Sequence, residues 1–211
     1  MERADLRVER SRQAIVGAFL ELMKRREYDS ITVKDLAEAA YINRKTFYAH
    51  FDTKQMLFEA MMREMFQDIF SPFMYAKEEP GMDVDANVLL KDIRCFLRTV
   101  ESYRDELEIM ITNQTSEMAF AIAEDVIMDR AKDIYLTTEN AKGKVPVRLY
   151  VMSIKVFFMM LIDWWLDGPE ISLDEAAVIV SRLMRKSTCS IFRYQRTFGL
   201  EESIAPVWEN S

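Results

Sequence analysis

The chain has 211 residues, half of them apolar, with five glycines, five prolines and a net charge of −7. That is enough chain for one or two domains with a substantial core, and so little Gly and Pro favours an all-α protein. The acidic balance excludes a uniformly basic protein. Two isolated cysteines (Cys95 and Cys189) and a single histidine (His50) point to a reducing compartment and argue against a disulfide scaffold or a His/Cys zinc cluster.

In chain order, apolar residues at helical spacing predict a first helix over about Arg7–Arg25, with Ile15, Phe19, Leu22 and Met23 on one face, broken at Tyr28-Asp29-Ser30. Thr32 with Asp35 three residues on reads as a capping box opening a short helix from Val33 to about Ala39. The turn Ala40-Tyr41-Ile42 leads to Asn43, a good N-cap for a second short helix from Arg44 to about His50. Asp52 or Thr53 can cap the next, which starts near Lys54 and runs to Met74. Helices over Val84–Tyr103, Glu106–Ile111 and Ser116–Leu136 follow, with loops at Pro80-Gly81 and around Gly143 and Pro146. Val147–Leu166 is strongly apolar and stops at Gly168-Pro169. Ser172 and Glu175 form a second capping box for a last helix to about Gln195, and the tail 197–211 is expected to be loosely ordered. Val145–Leu166 is interrupted by Arg148, Lys155 and Asp163, which makes it a poor membrane span, and no apolar leader segment follows the charged first residues. A cytoplasmic protein with no membrane partner is expected.

Two short helices joined by a tight turn and braced by a longer first helix make a helix-turn-helix, whose second short helix enters the DNA major groove. The residues there suit that role. Asn43, Arg44 and Lys45 stand where base edges are read, and Arg and Lys can both reach guanine. Thr46, Tyr48 and His50 are donors suited to phosphate oxygens, Lys54 lies at a helix N-terminus that favours phosphate, and Thr32 is grouped with this set. Phe47 and Phe51 are assigned to packing. Charge agrees: residues 1–60 hold eleven Lys/Arg against ten Asp/Glu, a net of +1, and the rest seventeen against twenty-five, a net of −8. Four of the cations, Arg3, Arg7, Arg10 and Arg12, fall in the first dozen residues. No nucleophile elbow, phosphate loop, dinucleotide fingerprint or metal cluster is present, so neither enzymatic activity nor a cofactor is expected.

The run from Ile31 to Phe58 resembles the DNA-binding domain of the TetR family of bacterial regulators. Thr32, Leu36, Ala37, Thr46, Phe47, Tyr48, His50, Phe51, Lys54 and Leu57 match that pattern in register, and the resemblance covers roughly residues 7–60. Two positions depart from it: Ala40 is read as standing at the usual turn glycine, and Tyr41 where a small or β-branched residue is common. The resemblance implies a DNA-binding domain over residues 1–53 and a helical ligand-binding and dimerisation domain over 54–211. The expected protein is a homodimer on a pseudo-palindromic double-stranded DNA operator, probed by half-sites about 34–36 Å apart. It would act as a repressor released by a small apolar or amphipathic effector. The alternative is a relative that works through a partner protein and not directly on DNA.

Phe96, Tyr103, Met110, Phe120, Tyr150 and Phe157 fall on successive helices and can line an apolar effector pocket or simply form core. Trp164, Trp165, Ile179, Val180 and Leu183 supply the apolar surface expected at the dimer interface, the two adjacent tryptophans pointing to different sides.

Overall fold

The computed structural model describes residues 2–74, 86–137 and 147–184, and these residues are helical apart from turns. The expected loops at Pro80-Gly81 and Gly143–Pro146, the extension of the last helix to Gln195, Cys189 and the tail lie outside the described residues. Helix α1 (Glu2–Met23) starts earlier than the apolar spacing implied, and Glu2, Arg3, Ala4 and Leu6 before Arg7 are good helix formers. It buries Ile15, Phe19 and Met23 at four-residue spacing. Tyr28–Ser30, expected only to break the chain, forms a single 3₁₀ turn that inserts the Tyr28 ring between Phe19 and Phe58, edge-on at centroid distances of 6.1 and 5.4 Å.

Helices α2 (Val33–Ala39) and α3 (Arg44–Tyr48) follow, then α4 (Lys54–Met74), capped by Thr53, whose Oγ1 accepts from the Met56 N–H at 3.1 Å. The near end of α4 packs Leu57 and Phe58 under α1–α3. Its far end sends Phe66, Ile69 and Phe70 into the rest of the molecule, so one cluster of buried residues runs from Ile15 to Val180.

Helices α5 (Ala86–Ser102) and α6 (Arg104–Thr112) are separated by Tyr103 alone, a sharper break than the three-residue bend expected there. Helix α7 (Ser116–Thr137) and helix α8 (Val147–Leu166) complete the layer around α4. Phe70, Phe73, Phe96 and Phe158 meet at its centre, with Phe73 and Phe96 at 4.7 and 5.0 Å from Phe158. The end of α8 is held by Arg104, which donates to the carbonyls of Leu166 (2.9 Å) and Trp165 (3.3 Å), while Trp165 Nε1 donates to Glu101 at 2.9 Å. Gly168 ends α8 at a φ of +73, as its position before Pro169 implied. The capping box of Ser172 and Glu175 then opens α9, whose described part is 173–184. Among the described residues no helix is long and apolar enough to cross a membrane.

Candidate nucleic-acid interface

Helix α2 begins with reciprocal bonds between Thr32 and Asp35. The Asp35 N–H donates to Thr32 Oγ1 at 3.2 Å, and the Asp35 carboxylate accepts from the Thr32 N–H (2.8 Å) and O–H (2.6 Å). These bonds from Thr32, with Arg26 Nη1 at 3.2 Å, hold the Asp35 carboxyl down at about 2. The Thr32 hydroxyl proton is therefore already engaged within the fold.

The far end of α2 closes as a Schellman motif: the Ile42 N–H donates to the Ala37 carbonyl at 2.9 Å and the Tyr41 N–H to the Glu38 carbonyl at 3.2 Å. That pattern requires one left-handed residue, and it is Tyr41, at a φ of +55. Ala40, read from the sequence as the glycine-like position, has an ordinary φ of −83. The departure from the family pattern thus falls one residue later than expected. The Tyr41 side chain packs on nothing, being 97% exposed.

Asn43 caps α3, its Oδ1 accepting from the Thr46 N–H (2.8 Å) and O–H (3.1 Å). The helix ends at Tyr48, two residues short of the expected His50, and the chain turns there so that Phe47 and Phe51 both enter the core. Their rings, 6.0 Å apart, anchor one side of α3 and leave Arg44, Lys45 and Tyr48 exposed on the other. Several cations around the motif are paired, Lys24 with Glu21, Arg26 with Asp35 and Lys34 with Glu38, whereas Arg44 and Lys45 enter no ion pair among the described residues.

His50 is half-buried, its Nε2 lying 2.6 Å from Ser11 Oγ. Since the Ser11 O–H donates to the Val8 carbonyl at 2.9 Å, the imidazole Nε2–H is the donor to Ser11. The bond ties the end of the α3 turn to α1. Lys54 corrects the sequence expectation. It does not stand free at the start of α4: its ammonium donates to the Tyr28 carbonyl at 2.6 Å and lies 4.0 Å over the Tyr28 ring, and the accompanying burial lowers its pKa. Ser11 and Tyr28 were not singled out from the sequence, because both act through contacts distant along the chain.

Farther from this face, a cavity of about 30 Å³ lies among Phe66, Leu107, Met110, Phe120, Met159 and Ile162, room for about one water. Met110 and Phe120, two of the residues expected at an effector pocket, line this small cavity. Phe96 is locked in the phenylalanine cluster and Phe157 packs on Phe158 at 5.5 Å. The Tyr103 hydroxyl donates to Asp68 at 2.7 Å, and burial together with that bond pushes its pKa up to about 12. The Tyr150 side chain lies outside the described residues. Trp165 and Val180 face the interior of the same chain, so the expectation of both at a dimer surface does not hold. Trp164 is half-buried, and Ile179 and Leu183 are exposed, as are Met152, Val156 and Met160, which recur every four residues along α8.

A profile of bacterial regulatory proteins of the tetR family matches residues 15–61, from the core of α1 into α4. The tetracycline repressor protein class G of Vibrio anguillarum is 30% identical over 114 residues, 54% of this chain and 52% of the repressor, so the chain matches about half of that relative's length. The biofilm operon icaADBC negative transcriptional regulator IcaR of Staphylococcus aureus (strain Newman) is 21% identical over 157 residues, covering 73% of this chain and 82% of IcaR. Among solved structures, NalD, the secondary repressor of the MexAB-OprM multidrug efflux pump in Pseudomonas aeruginosa, shares the fold with a TM-score of 0.55 at 19% identity, over 84% of this chain and 95% of its own.

Proposed function

We propose that this chain, which belongs to the tetR family of bacterial regulatory proteins, is a DNA-binding transcriptional repressor. It works as a homodimer on a pseudo-palindromic operator in the bacterial cytoplasm and lets go when a small apolar or amphipathic effector binds. No catalytic role is assigned, in keeping with a regulatory family. The observation that carries the reading is the exposed face of α3, where Arg44 and Lys45 have no acidic partner among the described residues, unlike Lys24, Arg26 and Lys34. A helix capped by Asn43 at the Thr46 N–H and anchored through Phe47 can bring that face to base edges. Repressors among the relatives support the sign of the regulation.

Size bounds how an effector could bind here. A drug-sized ligand needs roughly 300 Å³ or more, and the cavity beside α6 is about a tenth of that. An effector bound at this cavity would have to select a conformer in which α6, α7 and α8 part, and its preference for that conformer would set how far DNA release proceeds.

Fluorescence anisotropy with the duplex upstream of the gene and a scrambled duplex, across a range of salt, tests the reading. Preferential, salt-sensitive binding is expected. Arg44→Ala should cost about 1–3 kcal/mol on the upstream duplex and less on the scrambled one if Arg44 reads a base. Binding to neither duplex would overturn the reading in favour of action through a partner protein.

A further inference from the structure

Tyr41 is left unused by the packing of the fold and by the groove contacts assigned to α3. It occupies the left-handed position that closes α2, at a φ of +55, where a bulky L-residue is strained and glycine is not. Packing of the ring would ordinarily offset such strain, but at 97% exposure the ring gains almost nothing from the protein around it. Strain that the fold itself does not recover is concentrated at functional positions.

The position of the residue says what it meets. Tyr41 stands two residues before Asn43, the cap of α3, and beside the exposed Arg44 and Lys45. When the first residues of a recognition helix enter the major groove, the turn that precedes them passes the sugar–phosphate wall of that groove. A phenol there can donate its O–H to a phosphate oxygen and lay its ring along the sugar. Tyr48, also exposed, sits at the other end of α3, so the two phenols bracket the cationic pair.

We propose that Tyr41 is a DNA-backbone contact that grips the phosphate–sugar wall of the operator independently of base sequence. The proposal rests on the DNA-binding function given above. The contact is made only in the complex, so the free protein carries the strain and the bound protein gains the contact.

Tyr41→Gly, Tyr41→Asn and Tyr41→Phe separate the backbone from the side chain. Gly and Asn both tolerate the left-handed position but lack the ring, while Phe keeps the ring without the hydroxyl. Melting of each variant is measured together with anisotropy on the upstream and scrambled duplexes over a salt series. Tyr41→Gly is expected to melt about 2–4 °C above the wild type and Tyr41→Asn no lower than it. Both should bind both duplexes about five- to tenfold more weakly. The salt slope should stay unchanged, since no cation is lost, and Tyr41→Phe should fall between. Wild-type affinity in either Tyr41→Gly or Tyr41→Asn would overturn the proposal, as would a loss confined to the upstream duplex. If wild-type protein binds neither duplex, the repressor function itself fails and the proposal fails with it. An intact wild type beside indifferent variants refutes Tyr41 alone.

Discussion

Asp35 shows how a single surface carboxylate can make the DNA-reading motif sensitive to acid. Its carboxyl is held at about 2 by the hydroxyl and N–H of Thr32 and by Arg26, below the ordinary 3.8. A folded-state value below the unfolded one means that the unfolded chain binds more protons. The stabilisation is thus complete above the unfolded value and is lost as pH falls through the folded one. Asp35→Asn should therefore melt below the wild type near neutral pH, with the gap closing as pH drops from about 4 towards about 2. A gap constant over that range in thermal melts would show that the charge is immaterial. Lys54 makes a second test at this scale. With its ammonium on the Tyr28 carbonyl and ring, Lys54→Ala should cost about 1 kcal/mol of stability in urea titrations. It should reduce DNA affinity less than Arg44→Ala does. The opposite ranking would restore Lys54 as a phosphate ligand.

Elements were legible in the sequence where their ends depend on local chemistry. Thr32 with Asp35, Asn43, Ser172 with Glu175 and Gly168 each mark a helix boundary through bonds spanning only a few residues, and the structure has them all. The early start of α1 was not legible because no cap residue marks it. The left-handed residue was misplaced by one because its position is set by where the hydrogen bonds of α2 run out, not by residue type. The plug at Tyr28 and the fold-back of Lys54 depend on partners more than twenty residues away, beyond any local pattern. The same holds for Asn113, which caps the end of α6. Its Nδ2 donates to the Met23 carbonyl at 2.7 Å, tying α6 to the last turn of α1, while its Oδ1 is buried without a partner among the described residues. Because α6 also lines the small cavity, that tie joins the proposed effector region to the DNA-reading end. Asn113→Ala should lower stability by at most about 1 kcal/mol, since the orphaned oxygen disappears with the bond. It should clearly speed amide exchange at Lys24–Arg26 relative to the wild type. Unchanged exchange there would mean that the tie constrains nothing.

At the scale of the whole molecule, the net charge of −7 sets the bulk of the chain against a polyanion, so the proposed DNA binding would fall to the slight excess of cations in residues 1–60. A single helix-turn-helix of this size makes few phosphate contacts, so the proposed homodimer would let a weakly charged reader hold an operator through two of them. The proposed pairing surface includes the exposed α8 stripe of Met152, Val156 and Met160, whereas Trp165 is occupied inside its own protomer. Met160 is the most exposed of these at 67%. A charge placed there is solvated in a monomer and desolvated in a dimer, so Met160→Glu should fold normally yet have the mass of one chain in solution. Trp165→Glu, which buries a charge in the core, should instead destabilise the fold by several kcal/mol. Separation of the subunits should also flatten the salt dependence of binding, because each protein then displaces about half as many counterions. It should remove most of the preference for the upstream duplex, which comes from engaging two half-sites at once. A Met160→Glu protein that remains dimeric and keeps the wild-type salt slope would place the interface elsewhere on the molecule.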